Sequence, residues 1–169
     1  MNQIDFQDNI LMLKVGKSSL IVRLILVPVT LLFFLLPIWG LSLNLADGQG
    51  IKFLSVLIFA GYFLLGFYLL RICLWNTFGK EVISFGLNTI TYEADYGWFK
   101  GNKKEIPLEN SVCKIKPSEF ENQGKGILVF ESDQSEIECV ALVPLEKLQV
   151  LFTHIQDKIA AIKPEEFQN

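Results

Sequence analysis

Two uninterrupted apolar runs dominate the first half of the chain. Between Arg23 and Asp47 lie 23 residues without a formal charge, and between Lys52 and Arg71 lie 18 more. A helix needs about 20 mostly apolar residues to cross a membrane, and a chain this short could not bury two such helices in a soluble core. The pattern predicts a hairpin of two transmembrane helices over residues 20–75, joined by the short turn "DGQGI".

The first run is predicted to be a retained anchor and not a signal peptide. It begins after a mostly polar stretch, is longer than a typical signal core, and is followed almost at once by the second run. Pro28 and Pro37 lie within it. Tolerated kinks are the favoured interpretation of these prolines, and a hinge or a packing notch for another helix is the alternative.

Basic residues flank the hairpin on one side. Three precede the first span and two follow the second, whereas the connecting turn has one lysine offset by an aspartate. By the positive-inside rule both termini face the cytoplasm. The prediction is a multi-pass protein of the inner (cytoplasmic) membrane.

After the second span the apolar positions recur with a period of two. In "TITYEADY" the side chains of Ile90, Tyr92, Ala94 and Tyr96 share one face, and "EVISF", "SVCKIK", "ILVFES" and "EIECVALV" alternate similarly. This alternation, interrupted by short polar turns, is typical of half-buried antiparallel strands.

A helical period replaces the alternation at Pro144. The apolar stripe consists of Leu145, Leu148, Leu151, Phe152, Ile155, Ile159 and Ile162. Pro144 suits the first turn of a helix, and Pro164 would end it. Residues 80–169 are therefore predicted to form a cytoplasmic α+β module, a curved antiparallel sheet closed by a C-terminal helix.

The segment before the hairpin, residues 1–19, lies on the same side of the membrane in this topology. Its stretch "NILMLKVGKSS" has strand character in its first half. Two interpretations are open: residues 9–15 add an edge strand to the module, or they form a short amphipathic piece at the membrane surface.

The stretch "KKEIPLENSVCKI" resembles bacterial pleckstrin-homology-like domains found behind transmembrane hairpins. In that family a basic pair, a short "IPL" strand and a later apolar residue recur, and the residues that match are Lys103, Lys104, Ile106, Pro107, Leu108 and Val112. The layout of two spans, Trp75-Asn76 and such a domain is also similar to the two-span photosystem I assembly factor. The resemblance covers roughly half the chain and implies a pleckstrin-homology-like (PH-like) fold, but a fold does not specify a function.

No pattern in the sequence indicates catalysis. His154 is the single histidine and is expected at an exposed or edge position, and HExxH, GxSxG and phosphate-loop patterns are absent. Cys113 and Cys139 are interpreted as reduced, buried core residues, with a disulfide between them as the alternative. We predict a protein that is not an enzyme, with no cofactor, no metal site and no small-molecule substrate identified.

Charge and composition narrow the class of partner. The chain is 51% hydrophobic, and residues 80–169 carry ten basic and fifteen acidic residues, a net charge of −5. With a pI near 5.2, nucleic-acid binding is not expected. An acidic module should also be mildly repelled by an anionic membrane surface.

The candidate contact site is the hairpin that leads into "KGNKK". Aromatic residues on exposed turns are favoured interface anchors, and nearby lysines, with Lys114 and Lys116, form a local basic patch. The predicted partner-binding residues are Tyr96, Trp98, Phe99, Lys100, Lys103 and Lys104. The alternatives are that the aromatics pack on the sheet or the membrane and that the lysines are simply solvated.

The predicted function is that of a non-catalytic, membrane-anchored scaffold, assembly factor or accessory subunit. Its predicted partners are an integral membrane protein complex and the lipid bilayer. A module that senses lipid headgroups and a membrane immunity protein against a toxin are the alternatives.

Overall fold

A computed structural model describes residues 3–16, 19–48, 50, 52–118, 124–133 and 135–162. The chain divides into two compact units. Residues 17–77 form the first, which we call the helical unit, and residues 1–16 together with 78–169 form the second, the β module. The predicted module therefore gains the N-terminal segment.

Two long antiparallel helices make up the helical unit, α1 (Leu20–Ala46) and α2 (Phe53–Phe78). Both are long and apolar enough to span a membrane, in agreement with the predicted hairpin. Their aromatic side chains interlock: the Phe34 and Phe63 rings meet edge to face with centroids 5.2 Å apart. Gly66 allows this approach, because a Cβ atom there would lie 3.1 Å from the Phe34 ring.

Both prolines of the first span lie inside α1. The helix runs through Pro28 and Pro37 without interruption and is capped by Ser19, whose hydroxyl accepts a hydrogen bond from the Val22 N–H at 3.4 Å. Helix α2 extends three residues beyond the predicted end of the hairpin at residue 75, to Phe78.

The first sheet of the β module contains strands that precede the helical unit in the sequence and strands that follow it. Its order is β1-β2-β3-β4-β5, with every neighbouring pair antiparallel. The strands are β1 (Ile4–Gln7), β2 (Ile10–Lys14), β3 (Lys80–Phe85), β4 (Thr89–Asp95) and β5 (Lys100–Pro107). Because β2 pairs with β3, the N-terminal segment joins the sheet, as the first of the two open interpretations had it, and it contributes two strands instead of one edge strand.

A second sheet holds the remaining strands. It consists of β6 (Val112–Pro117), β7 (Lys125–Ser132), β8 (Ser135–Glu138) and the short β9 (Val143–Pro144), with β7 paired to all three others. The final helix, α3 (Leu145–Ile162), packs against β6, β7 and β9. The predicted antiparallel strands and C-terminal helix are therefore confirmed, but the strands do not form one closed sheet: those that the structure describes form two sheets, and α3 packs on the second.

The turn after β5 separates the sheets. Pro107 ends β5, and the Ser111 N–H and hydroxyl both donate to the Leu108 carbonyl, at 3.2 and 2.9 Å. After this turn the chain continues as β6, which pairs with β7 and not with β5. Side-chain alternation cannot predict this change of partner, because it shows which face of a strand is buried and not which strand lies beside it.

The core lies on the inner faces of the two sheets. Phe85 of β3 meets Phe130 of β7 edge to face, with ring centroids 5.9 Å apart. The alternation predicted for β4 is confirmed, since Ile90, Tyr92 and Ala94 are buried. Other side chains with no more than 2% exposure include Leu11, Leu13, Ile83, Ile106, Leu108, Leu128, Ile137, Leu148 and Ile155.

Candidate functional site

The predicted contact site is a tight turn between β4 and β5. The Tyr96 N–H donates to the Phe99 carbonyl at 2.9 Å and closes the turn. Gly97 has a φ of 91°, a backbone conformation that favours glycine, and its N–H donates to the Asp95 carboxylate at 2.7 Å. The turn is therefore held in one shape by its own backbone and by one side chain.

The three aromatic residues of this turn occupy different environments. Tyr96 is buried, with 5% exposure, and its ring stacks on Phe99 with centroids 4.7 Å apart and planes 14° apart. Phe99 is 38% exposed and Trp98 is 79% exposed. The buried Tyr96 ring thus fixes the position of the Phe99 ring, while Trp98 and Phe99 form an apolar surface exposed to solvent.

Glutamates compensate most of the predicted basic patch. Lys100 pairs with Glu93 at 3.3 Å, and Lys103 pairs with Glu105 at 2.7 Å. The hydrogen bond and the charge of Glu105 raise the pKa of Lys103. Lys104 is exposed and forms no salt bridge with the residues that the structure describes.

The two other lysines of the predicted patch lie on β6, in the second sheet. Lys114 pairs with Glu131, and Lys116 pairs with Glu138 at 3.0 Å. These exposed pairs contribute little to stability, but they reduce the positive field that an anionic headgroup would meet.

A buried carboxylate, which the sequence analysis did not single out, joins the two sheets. Glu81 on β3 has no exposed surface. Its Oε1 accepts hydrogen bonds from the Tyr92 hydroxyl at 2.8 Å and the Val140 N–H at 2.7 Å, and its Oε2 accepts from the Ala141 N–H at 2.9 Å. The alternation of "EVISF" was the available signal, because it places Glu81 on the same face as Ile83 and Phe85.

This carboxylate also explains why β8 is shorter than the strand predicted there. The sequence "EIECVALV" suggested one continuous strand, yet β8 ends at Glu138 and β9 begins at Val143. The N–H groups of Val140 and Ala141 donate to Glu81 and not to a neighbouring strand. Burial raises the pKa of the Glu81 carboxyl above its usual 4.5, although the hydrogen bonds from Val140, Ala141 and Tyr92 act to lower it.

The arrangement around Glu81 is that of a structural hydrogen-bond acceptor inside the core. A general base needs a substrate within hydrogen-bond reach, and both oxygens of Glu81 are already occupied inside the core. Among the residues that the structure describes, no group of three or more His, Cys, Asp or Glu side chains could hold a metal ion.

Both cysteines of the β module are buried free thiols, as predicted. Burial raises the pKa of Cys113 to about 12 and that of Cys139 well above its usual 9.0. His154 is exposed on α3, which also agrees with its predicted position.

We expect the two thiols to resist alkylation while the module is folded. In a Cys73→Ser background at pH 8, iodoacetamide should label them more than about 100-fold more slowly than in denaturant, because the thiolate is scarce and inaccessible. Mass spectrometry of timed samples measures the rate. If either thiol of the folded protein is labelled at a rate within a factor of about ten of its rate in denaturant, the burial of that thiol is contradicted.

Comparison with family models, curated proteins and solved structures finds no match for this chain. The apolar helices and the surface of the β module are therefore the features from which a function is inferred.

Proposed function

We propose that this chain is a non-catalytic, membrane-anchored accessory protein of a larger membrane complex. The helical unit would be its anchor, and the β module, for which we propose a PH-like fold, would contact the partner on the cytoplasmic side. Two antiparallel sheets followed by one C-terminal helix support the PH-like assignment.

The anchoring role is supported by the apolar surface of α1 and α2. Large hydrophobic side chains are exposed along both helices, among them Leu24, Leu35, Trp39, Leu57 and Leu64, each at least 59% exposed. Exposed apolar area on this scale needs lipid or another protein to cover it. Flanking lysine and arginine residues favour insertion in the cytoplasmic membrane with both termini inside.

The observation that carries the contact role is the exposure of Trp98 on a rigid turn. A large aromatic side chain loses little conformational entropy on binding, and such residues dominate the energy of protein interfaces. Phe99, stacked on Tyr96, extends the same apolar surface. Lys100 and Lys103, each paired with a glutamate, fit the polar rim of a protein interface better than a headgroup site.

The test is purification of the tagged full-length protein in a mild detergent, followed by mass spectrometry of co-eluting proteins. The proposal expects a stoichiometric membrane partner, with Trp98→Ala reducing its recovery about tenfold, the loss typical of an anchor residue. Leu87→Ala is the matched control, because Leu87 is also 79% exposed but lies in the turn between β3 and β4.

The possible results separate two parts of the proposal. Recovery of the protein alone would overturn the accessory role. A partner retained equally by wild type, Trp98→Ala and Leu87→Ala would leave the accessory role standing and remove the β4–β5 turn as its contact site.

A further inference from the structure

The first strand of the β module has one side without a strand partner. In the described part of the chain, β1 pairs only with β2. The Gln3 carbonyl accepts a hydrogen bond from the Lys14 N–H at 2.9 Å, so Gln3 and, two residues on, Asp5 direct their backbone groups towards β2. By the same alternation, Ile4 and Phe6 direct their N–H and carbonyl groups outwards.

An apolar groove lies directly beside this open edge. It has a volume of about 600 Å³, and it is lined on one side by Ile4 and Phe6 and on the other by α3. Phe6 is fixed by its edge-to-face contact with Phe85, at 6.0 Å between ring centroids. The α3 residues that line the groove are Glu146, Lys147, Val150, Leu151 and His154.

The free backbone groups of the β1 edge and the apolar walls of the groove together favour an extended peptide segment as the ligand. Outward backbone groups of an edge strand are satisfied best by another extended chain. A strand paired there would place every second side chain on the face of Ile4 and Phe6, that is, in the groove. Val150, 62% exposed, would become covered.

The opposite edge of the same sheet provides a contrast. Strand β5 carries Lys100, Lys103 and Lys104, and charged side chains on an edge are a common protection against unwanted strand pairing. Strand β1, "IDFQ", has no lysine, and its one charged residue is Asp5. The β1 edge is thus the one that is open to strand addition.

Asp5 selects the charge of the incoming strand. It lies between Ile4 and Phe6 on the outer face of the sheet, so a strand that pairs with both places its own central residue opposite Asp5. A second copy of β1 in this register would place aspartate against aspartate, which is destabilising, whereas lysine or arginine would be favourable.

We propose that the β1 edge and its groove bind an extended segment of another protein with the pattern apolar–basic–apolar. The segment adds antiparallel to β1, its two apolar side chains enter the groove, and its basic side chain faces Asp5. Cytoplasmic segments of membrane proteins are enriched in lysine and arginine. A loop or tail of the membrane partner is therefore the expected source, an assignment that rests on the proposed function.

The test uses full-length protein in nanodiscs of zwitterionic phosphatidylcholine, which avoids attraction of basic peptides to the lipid. Two fluorescent seven-residue peptides with identical threonine flanks carry the core Val-Arg-Val or Val-Glu-Val, and anisotropy measures their affinity. Wild type should bind the arginine peptide about fivefold more tightly, the scale of a cross-strand charge pair. Asp5→Lys should reverse this preference. Glu109→Lys, an equal charge change in the exposed turn between β5 and β6, should not.

Two further changes test the backbone pairing itself. Ile4→Pro removes an outward N–H and leaves the bonds from β1 to β2 in place, so it should weaken the arginine peptide at least about fivefold. Methylating the valine nitrogens of the peptide should do the same. Continued protection of Cys113 from iodoacetamide shows that each variant is folded.

Equal binding of the two peptides, or an unchanged preference in Asp5→Lys, would overturn the proposal. Absence of peptide binding would also overturn it, and a dimer that dissociates in Ile4→Pro would then identify a second copy as the occupant. Trp98→Ala should leave peptide affinity unchanged. A failure at the β4–β5 turn is thereby distinguishable from a failure at the β1 edge.

Discussion

Replacing Glu81 by alanine is expected to lower the free energy of unfolding of the β module by about 3 kcal/mol. The change removes the acceptor of three hydrogen bonds and leaves the Tyr92 hydroxyl and the N–H groups of Val140 and Ala141 inside the core. A buried donor without a partner costs about 1–3 kcal/mol, and some relaxation is expected.

Urea unfolding of the full-length protein in detergent, followed by pulse proteolysis of the module, measures this loss. Tyr92→Phe is the graded control: it removes one donor together with its bond and should cost about 1 kcal/mol. Glu81→Gln should fall between the two, because its amide oxygen can still accept at one of the two positions, whereas its NH2 group cannot accept at the other. A loss below about 1 kcal/mol for Glu81→Ala would show that Glu81 does not hold the sheets together.

The pH dependence of stability gives a second readout at the same residue. Burial raises the folded pKa of Glu81 above 4.5, its usual value, so the unfolded chain releases this proton first as the pH rises. The stabilisation from Glu81 is then complete below pH 4.5 and is lost as the pH rises through the folded pKa. The stability difference between wild type and Glu81→Gln should therefore shrink as the pH rises from 4.5.

Periodicity predicted the elements of this chain well. The apolar runs gave two helices, the period of two gave the strands on either side of "GLN", and the stripe from Leu145 to Ile162 gave α3. Each of these signals is local, since it depends on which side of one element is buried.

Pairing between distant segments was not predictable in the same way. The pairing of Ile10–Lys14 with Lys80–Phe85 joins two segments that the whole helical unit separates in the sequence, and nothing in either segment specifies the other. The division into two sheets depends on the turn after Pro107, and the early end of β8 depends on Glu81. Such features arise from tertiary contacts that override local pattern.

The candidate sites divide along the same line. An aromatic turn near "KGNKK" was visible in the sequence, but the burial of Tyr96 beneath Phe99 and the pairing of each β6 lysine with a glutamate depend on contacts between strands. The groove beside β1 was not visible, because its walls come from residues 4–6 and 146–154. A surface shared by distant segments has no signature in either one.

Phe130→Ala is expected to cost about 4 kcal/mol of module stability, the second large effect. Phe130 is fully buried on β7, the strand that pairs with β6, β8 and β9, and its ring contacts Phe85 across the two sheets. Phe130→Leu keeps most of the volume and should cost about 1–2 kcal/mol.

Val112→Ala provides the matched control for this change. Val112 lies on β6 in the same sheet but is 52% exposed, so its truncation should change stability by less than about 0.5 kcal/mol. Hydrogen exchange should report the same difference by region. Amides of β3 and β7 should lose protection together in Phe130→Ala, because the Phe85–Phe130 contact makes the sheets one cooperative core. Loss of protection confined to β6–β9 would show that the two sheets unfold independently and that their shared core contributes little.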